Sequence, residues 1–236
     1  ILVFLGALYQ SPTLVGPEGL GFDQAFGQEV LRVFIYSLAG IVALNLVRLV
    51  MDRVILYKFK LEEEVVRGQN VGAGAAELGM YVATGLMIAG AISGDAAGTE
   101  LNAALIALAF FGLGLALLVV FALFYQITTP YDIHSEIEGS NTAVGVAFGG
   151  NLVAIGLVTF KALFGDFTGW GESIAAFLTF GIIGFVLLYV MRFLIDLLLL
   201  PKFNVSQALA NGRNVGVAVI ESGVVISAAL ILFLAI

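Results

Sequence analysis

The chain has 236 residues, 61% hydrophobic and only 11% charged, against roughly 25% charged in an average soluble domain, so it has too little polar surface to solvate a globule and lipid is the expected solvent. The absence of cysteine excludes disulfide staples, thiolate metal sites and cysteine nucleophiles. A net charge of −7, carried mostly by connecting segments, argues against nucleic acid and against a basic membrane-surface domain.

A bilayer core of about 30 Å takes roughly 20 apolar residues per helix, and several runs of that length predict an all-α, polytopic transmembrane bundle of about six full helices plus a partial N-terminal one. Ile1 to Tyr9 reads as the end of a helix whose beginning lies upstream, since the chain opens in an apolar run with no methionine and no basic leader. A loop from Gln10 to Gly27 carries Pro12 and Pro17. The first full span runs from Val30 to Tyr57, followed by a charged connector, Lys58 to Gln69. A Gly/Ala-rich span covers Asn70 to Ser93, a turn Gly94 to Glu100, and a third run Leu101 to Ile127. The polar loop Thr128 to Ser140 leads to a span from Asn141 to Phe164, then the turn Gly165 to Gly171 with the chain's single tryptophan. The last two spans are Glu172 to Leu200 and Gly212 to Ile236.

Self-similarity is the strongest signal. Arg48, Asp52, Lys58, Phe59, Gly68, Asn70, Val71, Gly72, Glu77 and Gly79 recur, without a gap, at Arg192, Asp196, Lys202, Phe203, Gly212, Asn214, Val215, Gly216, Glu221 and Gly223. A fainter third copy, Gly139, Asn141, Gly145, Gly149 and Gly150, restates the Gly-x-Asn opening of a small-residue helix. The unit is a bulky helix, a polar connector and a slim helix. Two helices per unit return the chain to its starting side, so the copies are parallel repeats about an axis along the membrane normal, and all three connectors share one compartment. Arg53, Lys58, Lys60, Arg67, Lys202 and Arg213 flank that side against Arg32 and Lys161 on the other, which predicts cytoplasmic connectors and an external C-terminus. Trp170 and Phe167 are expected at the outer interface and Tyr57 and Tyr125 near the inner one.

Lipid supplies no hydrophobic drive between helices, so association relies on close approach through small residues spaced by four. Gly72/Ala76, Ala75/Gly79/Ala83, Gly145/Gly149 and Gly212/Gly216 have that spacing; simple helix packing is the weightier reading and a narrow path lined by glycine backbone the other. Asn70, Asn141 and Asn214 stand where they cap exposed backbone donors.

Charged residues within spans carry more information, because each costs about 2.5 to 3.5 kcal/mol at the bilayer centre on insertion scales. Arg48 and Asp52, like Arg192 and Asp196, are spaced to share a helix face. At about 1.5 Å per residue, Asp52 lies roughly 8 Å, Glu77 roughly 10 Å and Arg48 roughly 14 Å from the connector end. Arg48, Asp52 and Glu77 are therefore expected to meet as an arginine with two carboxylates, and Arg192, Asp196 and Glu221 as a second such set. Such a set either fixes helix register as a buried ion network, the weightier reading, or exchanges a proton or cation at Glu77 and Glu221. The middle copy has Phe148 in place of the acid.

No catalytic constellation, cofactor site or metal site is predicted. His134 is the single histidine and reads as a solvated loop residue, so neither a Ser/His/Asp triad nor a multi-histidine zinc site is supported. Ser222-Gly223 lacks the context of an intramembrane serine protease, and no phosphate-cradling Gly-rich loop occurs.

The segments Thr129-Pro130-Tyr131-Asp132, Ile137-Glu138-Gly139-Ser140-Asn141-Thr142-Ala143 leading into Gly149-Gly150, and Asn211-Gly212-Arg213-Asn214-Val215-Gly216 resemble the bacterial inner-membrane family called domain of unknown function 350, or YjfL-like. The resemblance implies two tandem four-helix units, a complete one over 96–236 and the rear part of another over 1–95. The connector Lys58 to Gln69 departs from its later counterpart in carrying Glu62, Glu63 and Glu64. Two functions stay open: a non-catalytic scaffold or complex subunit that holds other membrane proteins or copies of itself, and a proton or cation channel or carrier that uses the acidic clusters.

Overall fold

A computed structural model describes residues 24–94, 99–194 and 204–235. The expected N-terminal partial helix and its loop as far as residue 23, together with Asp196, Lys202 and Phe203, lie outside the described residues, while Gln24 to Gly27, expected as the end of that loop, form the first turn of a helix.

Every element among the described residues is helical: α1 (Gln24–Val50), continued by a π-helical turn (Met51–Ile55), α2 (Leu61–Val66), α3 (Val71–Ala91), α4 (Glu100–Thr128), α5 (Ile133–Glu138), α6 (Thr142–Leu163), α7 (Trp170–Leu194), α8 (Val205–Ala210) and α9 (Val215–Ala235). Six of these runs are long and apolar enough to cross a membrane: Val33–Ile55, Val71–Ala91, Leu101–Thr128, Thr142–Leu163, Trp170–Met191 and Val215–Ala235. No proline falls within them, so nothing interrupts their backbone ladders.

The slim helices α3, α6 and α9 form a row with α6 at its centre, and the bulky helices α1, α4 and α7 pack along that row. The bulky helices turn large apolar side chains outward, Phe34 at 64%, Leu108 at 66% and Phe193 at 66% exposure. In lipid this is the ordinary outer surface of a bundle. The interior is filled by Met80, Met87, Leu118, Phe148, Leu152 and Ile155, all fully buried.

Glycine lets the slim helices touch backbone to backbone. A Cβ added at Gly145 would overlap the Gly72 carbonyl, one at Gly79 would overlap the Gly149 backbone, and one at Gly149 would overlap the Ala75 carbonyl. Farther along, a Cβ at Gly156 would fall 2.6 Å from the Ala83 Cα, and one at Gly90 would fall 3.0 Å from the Phe160 carbonyl. Contacts advance in the same direction on both helices, so α3 and α6 are parallel. Gly72, Gly79, Gly145 and Gly149 thus pack as their spacing predicts, whereas Gly212 belongs to a connector and Gly216 is exposed.

The connectors differ from the loops expected of them. Each holds a six-residue helix, α2, α5 or α8, whose inward residues Leu61, Ile133 with Ile137, and Val205 with Leu209 are buried. One helical turn with one or two apolar positions is too short to register in a hydropathy reading scaled to membrane spans. Each short helix ends on Gly-x-Asn with x in the left-handed region: Gln69 at φ 49°, Ser140 at 58° and Arg213 at 46°. The amide of the following asparagine then bonds back to Glu64, Glu136 or Ala208. Glycine before x is needed for closeness, since a Cβ at Gly68 or Gly212 would sit 2.7 or 2.8 Å from the carbonyl of Glu64 or Ala208.

Candidate functional site

The three connectors meet at one end of the bundle, and the asparagines join them. Asn70 accepts from the Ala73 amide at 3.0 Å as a cap and donates to Glu64 Oε2 at 3.0 Å and to the Ile137 carbonyl at 2.6 Å. Asn141 repeats the pattern one copy on, accepting from Ala143 at 3.1 Å and Val144 at 3.3 Å and donating to Glu136 Oε2 at 2.8 Å and to the carbonyls of Leu209 at 3.0 Å and Ala210 at 3.2 Å. Each therefore caps its own helix and grips the short helix of the next copy. Asn214 caps Val217 at 3.2 Å and is exposed.

A second tie centres on Ile55, whose carbonyl ends the π turn without an intrahelical partner. Gln126 Nε2 donates to it at 2.8 Å and His134 Nε2 lies at the same distance. His134 is buried, with its Nδ1 3.3 Å from Asp132 and its ring edge-on to Tyr57 at 4.9 Å, which corrects the expectation of a solvated loop residue. The short helix α5 carries it inward. Its N-cap is Asp132, which accepts from the amides of His134 and Ser135.

Asp132 also takes Lys58 Nζ at 2.5 Å, linking the first connector to the second. The Lys58 hydrogen bond holds the Asp132 carboxyl well below its usual range, and the same bond pushes Lys58 up. A depressed carboxyl stabilises the fold above its unfolded value of 3.8 and loses that contribution as pH falls below it, while a raised lysine loses its share only as pH rises past 10.5. The gap in melting temperature between wild type and Asp132→Asn is thus expected to stay level from pH 5 to 9 and to shrink below pH 4. Melting curves in detergent check this, and a gap that already closes between pH 7 and 5 would contradict it.

Within the spans, Arg48 Nε lies 3.4 Å from Glu77 Oε1 and Arg48 Nη2 lies 3.3 Å from Glu62 Oε2. Tyr81 donates its hydroxyl to the same Glu77 oxygen at 2.7 Å. Arg48 thus meets two carboxylates, but the second is Glu62 and not Asp52. Asp52 accepts from the Leu61 amide at 3.3 Å at the start of α2. Asp52 lies in the π-helical turn, next to the start of the first connector helix, and its carboxylate is engaged there by the Leu61 backbone amide instead of by the guanidinium. In the other set, Asp196 and the side chain of Arg192 lie outside the described residues, and Glu221, 2% exposed, occupies the α9 position that matches Glu77.

At the opposite end, a cavity of about 310 Å³ is bordered by Tyr36, Ser93, Phe110, Asp166 and Phe167. Trp170 stacks on Phe110 there at 6.3 Å and meets Phe167 at 5.3 Å. A pocket of about 540 Å³ opens at the connector end between Pro130, Tyr131 and α8. Neither reaches Glu77 or Glu221. Among the described residues no cluster of three His, Cys, Asp or Glu side chains is placed to hold a metal ion.

Sequence reasoning missed Glu62, Glu64, Gln126, Asp132, His134 and Glu136 as partners in this network. The repeat itself held part of the signal, since Glu64 and Glu136 stand six and five residues before the asparagines they meet.

The model of a family described as "Domain of Unknown Function (DUF350)" matches residues 2–92 and 99–236. The chain is also similar to the UPF0719 transmembrane protein YshE of Bacillus subtilis (strain 168), 29% identical over 109 residues that make up 46% of this chain and 77% of the relative. No solved structure matches. With the family match spanning nearly its whole length and six apolar helices to cross the bilayer, this multi-pass membrane protein belongs to the DUF350 family.

Proposed function

We propose that this protein is a non-catalytic structural component of the membrane, a scaffold or subunit of a membrane complex. The observation that carries the reading is the closed interior. Slim helices α3 and α6 are in close contact along their length, Gly150 of α6 sits against Ser222 of α9, and the intramembrane charge at Arg48 is met by Glu77 and Glu62, with Tyr81 on Glu77. Neither pocket leads to the acidic residues. An ion path needs a polar route to its carboxylates, and a packed glycine interface offers none. The excess of Arg and Lys on the connector side supports a bacterial inner-membrane location with the connectors cytoplasmic and the C-terminus outside.

A proton or cation channel or carrier is the second reading. Glu221 favours it, as a carboxyl 2% exposed within the last span, where an ionisable side chain is costly to place and often marks an ion or proton path. Flux assays separate the two. Liposomes carrying the protein are expected to pass protons, sodium and potassium no faster than empty vesicles, with Glu77→Gln plus Glu221→Gln indistinguishable from wild type. Flux that the double substitution abolishes in a folded protein would replace the scaffold with a transporter.

A further inference from the structure

We propose that the cavity at the end opposite the connectors is a binding site for an organic ammonium ion, an amine head that carries a short apolar chain. The proposal goes beyond the scaffold reading and does not depend on it, because the cavity does not reach Glu77 or Glu221.

The cavity, of about 310 Å³, runs from the turns into the bundle. Asp166 and Thr168 border it at the exposed turn between α6 and α7. Phe110, about 15 Å along α4 from Glu100 at the rise of a helix, borders it within the span. The inner wall is Ala91, Ala103, Ile106, Ala107, Ala162 and Leu163. Four alanines from α3, α4 and α6 thus leave room where larger side chains would close the interior. A space between the helices of a bundle, with an apolar wall and a few polar groups at one end, is the usual form of a small-molecule site.

The rim of the cavity is a defined structure. Gly94-Asp95-Ala96-Ala97-Gly98 and Gly165-Asp166-Phe167-Thr168-Gly169 share a Gly-Asp-x-x-Gly pattern, of which residues 95–98 lie outside the described residues. Gly94, at φ 79°, presses on the Gly165 carbonyl, and the Gly165 amide donates to Ser93 Oγ at 3.3 Å. The Thr168 amide donates to Ser173 Oγ at 3.3 Å. Gly165 and Gly169 stand at φ 132° and 130°, which side chains rarely allow. These bonds and turns hold Asp166 and Phe167 at the rim.

Charge and aromatic rings select the ligand. The stretches 94–100 and 165–172 carry Asp95, Glu100, Asp166 and Glu172 and no lysine or arginine, and none of the described residues lining the cavity is basic. An anion in the cavity would meet a carboxylate with no cation to pair it, whereas a cation is drawn in. Phe110 and Phe167 line the cavity, and Trp170 stacks on the first at 6.3 Å and meets the second edge-on at 5.3 Å. Aromatic faces attract an ammonium, and the alanine wall takes up the apolar chain attached to it. A bare metal ion would find one carboxylate, Asp166, among the described lining residues, too few oxygen ligands to hold it.

The fluorescence of Trp170, the single tryptophan, reads the site directly. Protein in maltoside micelles would be titrated with butyltrimethylammonium and, as the anionic counterpart with a similar chain, with pentanoate. The expected result is a saturable change with the ammonium alone, an affinity lowered about three- to fivefold in Asp166→Asn, as the loss of an exposed ion pair gives, and no saturable change in Ala107→Phe, whose ring fills the cavity. Melting curves check that each variant folds, and Ala103→Leu is a gentler obstruction should Ala107→Phe not fold. Phosphatidylcholine added to the micelles distinguishes the source of the ammonium: displacement of the probe assigns the site to a lipid head group and no displacement to a water-soluble amine, and either supports the proposal. A response to pentanoate as strong as that to the ammonium, a response that persists in the filled variants, or no saturable response from folded wild type would overturn it.

Discussion

Replacing Gly145 by alanine is expected to force α3 and α6 apart and cut the yield of folded protein several-fold, while the same change at Gly74 leaves the yield unchanged or higher. The added methyl at 145 would overlap the Gly72 carbonyl, which belongs to a helix backbone and cannot swing aside as a side chain can. Overpacking of this kind costs about 1 to 3 kcal/mol. Lipid returns nothing for the separated surfaces, because association in the bilayer comes from close contact rather than from a hydrophobic drive. At Gly74 nothing lies within 4 Å of the new methyl, so the change keeps only the helix-propensity gain of about 1 kcal/mol. Size-exclusion profiles and melting curves in detergent compare the two. Equal behaviour of the two variants would show that the α3–α6 contact is not what holds the bundle.

The membrane spans and the slim-helix repeat were legible because both are written in long, regular patterns. Runs of apolar residues define Leu101–Thr128 or Val215–Ala235 without reference to any partner, and Gly-x-Asn marks each slim helix because a left-handed residue and an N-cap must sit side by side there. What the sequence did not disclose depends on contacts that form only when the connectors fold back onto the bundle. Asp52 was expected to ion-pair with Arg48, four residues away, but its carboxylate accepts from the Leu61 amide, a partner that exists only once α2 folds back beside the π turn. His134 reads as a loop residue until α5 forms and sets it against the Ile55 carbonyl, 79 residues away in the chain. Glu62 lies in a charged connector that sequence treats as solvated, and only the turn of α2 brings it within 3.3 Å of Arg48.

Asn141 is the residue where the repeat's two tasks coincide, and its replacement by alanine is expected to be among the most damaging single changes in the chain. Its oxygen caps α6 and its amide satisfies the Leu209 and Ala210 carbonyls and Glu136, all at a fully buried position. Loss of a cap costs about 0.5 to 2 kcal/mol, and leaving one buried carbonyl at the joint without a partner adds about 1 to 3 kcal/mol. The sum, about 2 to 5 kcal/mol, is a large share of a typical folding free energy of 5 to 15 kcal/mol. Asn214→Ala removes only the exposed cap on Val217 and is expected to cost about 1 kcal/mol or less. Asn141→Asp separates the tasks, since it keeps the capping oxygen but faces the Leu209 and Ala210 carbonyls with a second acceptor. It is expected to lie much closer to Asn141→Ala than to wild type, because a second acceptor set against two carbonyls and a carboxylate at a buried joint outweighs the retained cap. Melting curves of the three variants decide the point: an Asn141→Asp protein as stable as wild type would mean that Asn141 serves its own helix and not the joint between repeats.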